Sequence, residues 1–155
     1  MGYIQLSVMR VMVLYEPGRS GEMAVRRAGD IAQGTGAALT LVCVVPQAEG
    51  GGPRCGGSAH DYNLAVLEQS AQDVHNARRR LGELADETRV ELLVEGSDPP
   101  LADWSAARHF DTILLPARRR PLRGGKHPDA ARLMRYTDAE VRIIDARGDA
   151  VAARS

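Results

Sequence analysis

The stretch richest in groups able to do chemistry is "LLPARRRPLRGGKHPDAARLM", residues 114–134. An apolar run ends at Pro116. Arg118, Arg119, Arg120, Arg123 and Lys126 then surround Gly124 and Gly125, and a helix-like stretch opens at Pro128. Strand, glycine loop and helix in that order are the parts of a phosphate cradle, in which backbone N–H groups and a helix N-terminus face the anion. Here the loop is mostly arginine, whose forked guanidinium can bind a phosphate or carboxylate through the side chain instead. The simpler reading is a solvated basic loop whose arginines pair with Glu16, Asp129 or helix carboxylates.

Other chemistry is sparse. His60, His75, His109 and His127 are scattered, and Cys55 with His60 lacks the spacing of a metal site. There is no G-x-S-x-G, H-E-x-x-H or Gly-x4-Gly-Lys-Ser motif. Ser20, Ser58 and Ser97 have no evident base, so neither a catalytic residue nor a metal ligand is expected. Trp104 and Phe110 read as packing residues, and the Arg147-Gly148-Asp149 triplet as accidental.

The elements that must position the loop follow from periodicity. Short β-branched runs at 11–15, 38–45, 89–96, 111–116 and 140–145 read as strands, most of them continuous apolar runs of the kind covered on both faces. Between them lie helical patterns. Ser20 is the expected cap of the first, and Ser97 or Asp98 of the third. Leu64, Leu67, Ala71, Val74, Ala77, Leu81 and Leu84 give the second an apolar stripe, read as core. Residues 47–59 read as a flexible glycine-rich loop, and 147–155 as a disordered polar tail after a domain spanning 1–146. Alternating units of this kind specify an α/β fold, a single-domain open parallel sheet with helices on both faces. In such sheets ligands sit at the carboxyl ends of the strands, where strand order reverses.

At 155 residues the chain suits one domain, and a formal net charge of zero gives no global pull toward nucleic acid or anionic lipid. Lys126 is the only lysine. Cys43 lies in an apolar run and reads as a small buried hydrophobe, and a reducing cytoplasm fits two cysteines so placed. No stretch is long and apolar enough to cross a membrane, and "MGYIQLSVMR" has no signal-peptide pattern.

Four stretches together resemble the universal stress protein family. They are "VMVLYEPGRSGEMAVRRAGDIAQGTGAALTLVCVV", "VELLVEGSDPPLADWSAARHFDTILLP", the glycine-rich loop and long second helix, which sit where the family has a variable connection, and "AARLMRYTDAEVRIID". The resemblance implies a five-stranded Rossmann-like sheet in the order 3-2-1-4-5. It also implies a homodimer through the fifth strand, to which Val141, Ile143 and Ile144 would contribute an exposed apolar edge. In the nucleotide-binding branch, ATP would lie at the strand-order reversal. There Glu16 is the acidic residue after the first strand, Gly18 shares its turn, and backbone near Val44 and Val45 meets the adenine. The departure is the loop. The branch carries Gly-x2-Gly-x9-Gly-Ser/Thr, and those positions, counted from Pro116, are Pro116, Arg119, Asp129 and Ala130. Counted back from the fifth strand, His127-Pro128 takes the place of the Gly-Ser pair. Prolines supply no N–H and Asp129 opposes an anion, so the glycine cradle is lost.

The expectation is therefore a non-catalytic, dimeric stress-response or regulatory module with a degenerate nucleotide site, no required cofactor and a cytoplasmic location. ATP or another nucleotide remains as an unexpected ligand. The alternative is a sensor that binds a nucleotide or other polyanion through Arg118, Arg119, Gly124, Gly125 and Lys126. A third reading, an enzyme of the adenine-nucleotide α-hydrolase-like group, lacks an assembled nucleophile or base.

Overall fold

A computed structural model describes residues 8–48, 58–118 and 127–151. Arg119, Arg120, Arg123, Gly124, Gly125 and Lys126 lie outside the described residues, as does Cys55. The chain runs β1 (Arg10–Leu14), α1 (Arg19–Thr35), β2 (Ala38–Val45), α2 (Ser58–Arg79), β3 (Arg89–Val94), α3 (Leu101–Ala106), β4 (Thr112–Pro116), α4 (Pro128–Tyr136), β5 (Glu140–Ile144) and β6 (Ala150–Val151). They form one sheet in the order β3-β2-β1-β4-β5-β6, with β6 antiparallel on an otherwise parallel sheet. β1 is central with β4 beside it, and order reverses between them as the sequence implied.

The central strands alternate between two cores. Val11, Val13, Leu39, Leu41, Cys43 and Leu114 pack under α1 and α2 with Ala24, Ala28 and Val74. Met12, Leu14, Val42, Ile113 and Leu115 pack on the other face with Trp104, Phe110, Leu133 and Val141. Val13 and Leu114 are both fully buried, as strands covered on two faces require. Trp104 and Phe110 stack at 5.7 Å between ring centroids, with Arg108 lying over the Trp104 ring.

Several local expectations are corrected. The sheet has six strands, not five. Of residues 147–155, expected as a disordered tail, those described instead turn back into β6. Asp145 causes this: its side chain accepts from Arg147 N–H at 2.8 Å and Asp149 N–H at 3.0 Å, and Gly148 takes a φ of 87°. The apolar edge expected at Val141, Ile143 and Ile144 is mostly covered. Val141 and Ile144 are buried, Ile143 is half-buried, and β6 pairs with Ile143 and Ile144. Helix α1 is capped by Gly18 at φ 121°, not by Ser20, and has no side-chain cap. α3 spans six residues, and Pro100 precedes it. Asp98 bonds back to Val94 N–H at 2.7 Å rather than capping α3, because the two prolines delay the helix start.

Candidate functional site at the carboxyl ends of the central strands

β1 ends at Leu14, and the turn that follows sets the site. Tyr15 N–H bonds to Val42 C=O at 2.7 Å, and Gly18 C=O receives Glu22 N–H at 3.0 Å. The first turn of α1 therefore lies directly on Glu16. Gly21 permits this: a Cβ there would stand 1.7 Å from the Glu16 carbonyl oxygen.

Beside this turn lies a pocket of about 290 Å³, lined by Tyr15, Glu16, Cys43, Val44, Gln69 and Asp73 among others. The volume sits at the lower end of small-molecule sites, which run from roughly 300 to 1,000 Å³. Its walls are the ends of β1 and β2 and one flank of α2. Glu16 and Val44, expected here, both line it. Gly18 does not line it but caps α1 next to it. Val45 is fully buried, and its carbonyl accepts from Glu95 N–H at 3.0 Å. Tyr15, Cys43, Gln69, Ser70 and Asp73 were missed. In the sequence Cys43 read only as core, while Gln69, Ser70 and Asp73 flank the apolar stripe of α2 at helical spacing.

The pocket is electronegative. Burial pushes the Cys43 thiol up to about 11, with further upward pushes from the Asp73 and Glu16 carboxylates and an opposing hydrogen bond from Ser70. The Tyr15 phenol is also raised, by burial first and then by Asp73. A thiol so placed stays protonated near neutrality, so Cys43 is no nucleophile there.

On the β4 side, Arg118 stands between two carboxylates. Its Nη2 lies 3.2 Å from Asp129 Oδ2 and 3.6 Å from Glu16 Oε1. All three side chains are part-exposed, so the pairs orient the groups more than they stabilise the fold. Asp129 belongs to the first turn of α4, whose N-cap is His127. His127 Nδ1 accepts a long 3.4 Å bond from Ala130 N–H, so Nε2 carries the proton and donates to Pro116 C=O at 3.1 Å. One imidazole thus ties the end of β4 to the start of α4. It also consumes a donor that an anion at this helix end would need. Pro128 has no N–H, Ala130 N–H is taken, and Asp129 adds negative charge.

The sequence profile of the Universal stress protein family matches residues 8–127. The chain belongs to the universal stress protein family. Among solved structures, its fold is similar to universal stress protein UspA from Lactobacillus plantarum, with a TM-score of 0.70 at 17% identity over 87% of this chain and 96% of that one. A universal stress protein family member from Burkholderia pseudomallei gives 0.61 at 18% identity, covering 87% and 94%. The universal stress protein from Archaeoglobus fulgidus in complex with dAMP gives 0.55 at 17%, covering 87% and 96%. Identities this low establish a shared fold. No curated protein matches the sequence. Among the described residues, no helix is long and apolar enough to cross a membrane, and no group of three or more His, Cys, Asp or Glu side chains is placed to hold a metal ion.

Within this universal stress protein fold, the pocket at β1 and β2 adjoins the α4 N-terminus through Glu16, which lines the pocket and pairs with Arg118 beside Asp129. The pocket's lining is partly apolar, with Cys43, Val44 and Val66 among its walls. Among the described residues, the α4 N-terminus offers an anion few free backbone donors.

Proposed function

We propose that this universal stress protein is a non-catalytic stress-response or regulatory module, cytoplasmic and dimeric, whose nucleotide site has lost its phosphate grip. The observation that carries the reading is Arg118 held between Glu16 and Asp129 beside a proline-started, histidine-capped α4. Fixed backbone donors hold phosphate with little ordering cost. Arginine side chains each lose up to ~2 kcal/mol of rotamer freedom when immobilised. Arg118 must in addition leave two carboxylates. No cofactor is required in this reading, and nucleic acid is not a partner, because the chain carries no net charge.

A second reading, a sensor of nucleotides or polyanions through residues 118–126, draws support from the pocket at β1 and β2 and from the dAMP complex of the Archaeoglobus relative. Calorimetry of the full chain with ATP, AMP and cyclic AMP separates the two. The expected outcome is heat that is weak or absent for ATP, salt-sensitive, and unselective among polyanions. Micromolar, ATP-selective binding that survives both added salt and the triple change Arg118→Ala, Arg119→Ala, Arg120→Ala would overturn the leading reading.

The dimer is proposed to form through β5. Its support is the part of that strand that has no strand neighbour among the described residues, Glu140 to Arg142.

A further inference from the structure

A second cavity, of about 560 Å³, lies in the seam between α1 and the last turns of α2 with the turn that follows it. Its volume falls inside the range of small-molecule sites, roughly 300–1,000 Å³. The floor is apolar. Val25 and Ala77 are buried there, and Met23, Leu81 and Leu84 are half-buried. Gly29 adds width, because α1 carries no side chain at that point.

The rim carries both signs of charge. Glu22, Arg26 and Asp30 follow at four-residue steps, so they run along one side of α1. Across the seam Arg80 Nη1 meets Glu22 Oε1 at 3.0 Å. These two side chains are 62% and 52% exposed, and an ion pair so placed is worth little, so a ligand can open it at small cost. Among the described residues Arg26 and Asp30 form no ion pair.

A solvated helix face accounts for those charges. It does not account for Tyr15, which closes one end of the cavity and is only 7% exposed. Its hydroxyl has no hydrogen-bond partner among the described residues. Burial raises the phenol, so near neutrality it is an O–H donor without an acceptor. Buried hydroxyls as a rule find a partner. The charges that reach it are Asp73, Arg80, Glu22 and Cys43, in that order, and two of the four belong to this rim. The ring also lines the pocket at β1 and β2 and so divides the two cavities.

The array selects by charge. A simple anion at Arg80 meets Glu22 and Asp30, and a simple cation at Glu22 meets Arg26 and Arg80. A zwitterion answers both signs. Its ammonium donates to Glu22, its carboxylate accepts from the Arg80 fork and from the Tyr15 hydroxyl, and an apolar side chain covers the floor. We propose that the α1–α2 cavity binds a free α-amino acid with an apolar side chain, held by Glu22, Arg80 and Tyr15. Nothing in this depends on the fate of the nucleotide site. It gives the domain a small-molecule input that needs no phosphate grip.

The test is calorimetry of the full chain with three ligands: L-leucine, isocaproate, which lacks the ammonium, and isoamylamine, which lacks the carboxylate. Leucine should bind, and each half-ligand should bind at least about tenfold more weakly. Glu22→Gln and Arg80→Gln should each weaken leucine about tenfold, and Tyr15→Phe about threefold. Leucine should also shift the methyl signals of Leu81 and Leu84 in NMR spectra. No leucine binding in the millimolar range overturns the proposal. So do half-ligands that bind as well as leucine, which would leave only an apolar cavity. Leucine binding that ignores both Glu22→Gln and Arg80→Gln, or that leaves Leu81 and Leu84 unshifted, places the ligand elsewhere and overturns it too. The three-ligand comparison uses the unaltered chain, so it decides the matter even where a variant fails to fold.

Discussion

Three glycines of one helix should respond to alanine in three different ways, and the differences can be worked from the structure. Gly21, in the first turns of α1, faces backbone. An alanine Cβ would sit 1.7 Å from the Glu16 carbonyl oxygen and 2.8 Å from its carbon. Relief requires a shift of more than an ångström. The turn cannot easily give, because Tyr15 N–H and Gly18 C=O on either side are already bonded. Overpacking costs typically ~1–3 kcal/mol, and backbone against backbone belongs at the top of that range. The helix gains up to about 1 kcal/mol from losing a glycine, which offsets part of the cost. We predict a net loss of about 2 kcal/mol or more for Gly21→Ala. At ~2–4 °C per kcal/mol for a domain of this size, the melting temperature falls by roughly 4–8 °C. Gly29 faces only the tip of Leu81, with Cδ2 at 2.8 Å from the added Cβ, and a leucine tip can turn aside. Gly29→Ala should be nearly neutral. Gly34 has nothing within 4 Å, so Gly34→Ala should stabilise by about 0.5–1 kcal/mol. Thermal and urea unfolding of the three variants is the assay. If all three melt together, or if Gly21→Ala gains stability, the close seating of α1 on the Glu16 turn is wrong, and the wall of the pocket with it.

Two further predictions concern the site. Cys43, with its thiol raised to about 11, should be alkylated by iodoacetamide near pH 8 about a hundredfold more slowly than a free thiol, measured in a Cys55→Ala background; equal rates would show an open thiol. The same group sets a stability slope: between the ordinary 9.0 and about 11 the unfolded chain loses its proton first and binds fewer protons than the folded one. Its contribution is therefore fully present below pH 9 and is lost as pH rises through that window, and unfolding that is flat from pH 9 to 11 would contradict it. His127→Ala removes both the α4 cap and the bond to Pro116 C=O, and should cost about 1–2 kcal/mol in urea unfolding. His127→Asn should recover part of the loss, since its amide can still cap α4; a His127→Ala protein as stable as the parent would mean the imidazole ties nothing together.

The sequence by itself determined the order of elements and their core faces. Continuous apolar runs such as residues 113–116 identify strands buried on both faces, and right-handed crossovers leave few ways to arrange five of them. It also determined that the glycine cradle is gone, because chemistry at Pro128 and Asp129 follows from residue type alone. Tertiary structure decided what lies across the sheet from what. The sequence offered Glu16 and Asp129 as partners for the loop arginines, but only the fold brings both to Arg118, Glu16 from about a hundred positions away and Asp129 from 11. Cys43 and Asp73 became pocket residues only when α2 settled against β2, since from sequence a pocket wall and a core stripe have the same periodicity. β6 was hidden for a different reason. "ARGDAVAARS" is polar and without period, and its order comes from the Asp145 turn and from the Arg19 and Arg27 contacts on α1. Those contacts exist only once the sheet has brought the end of β5 beside a helix that begins more than a hundred residues earlier.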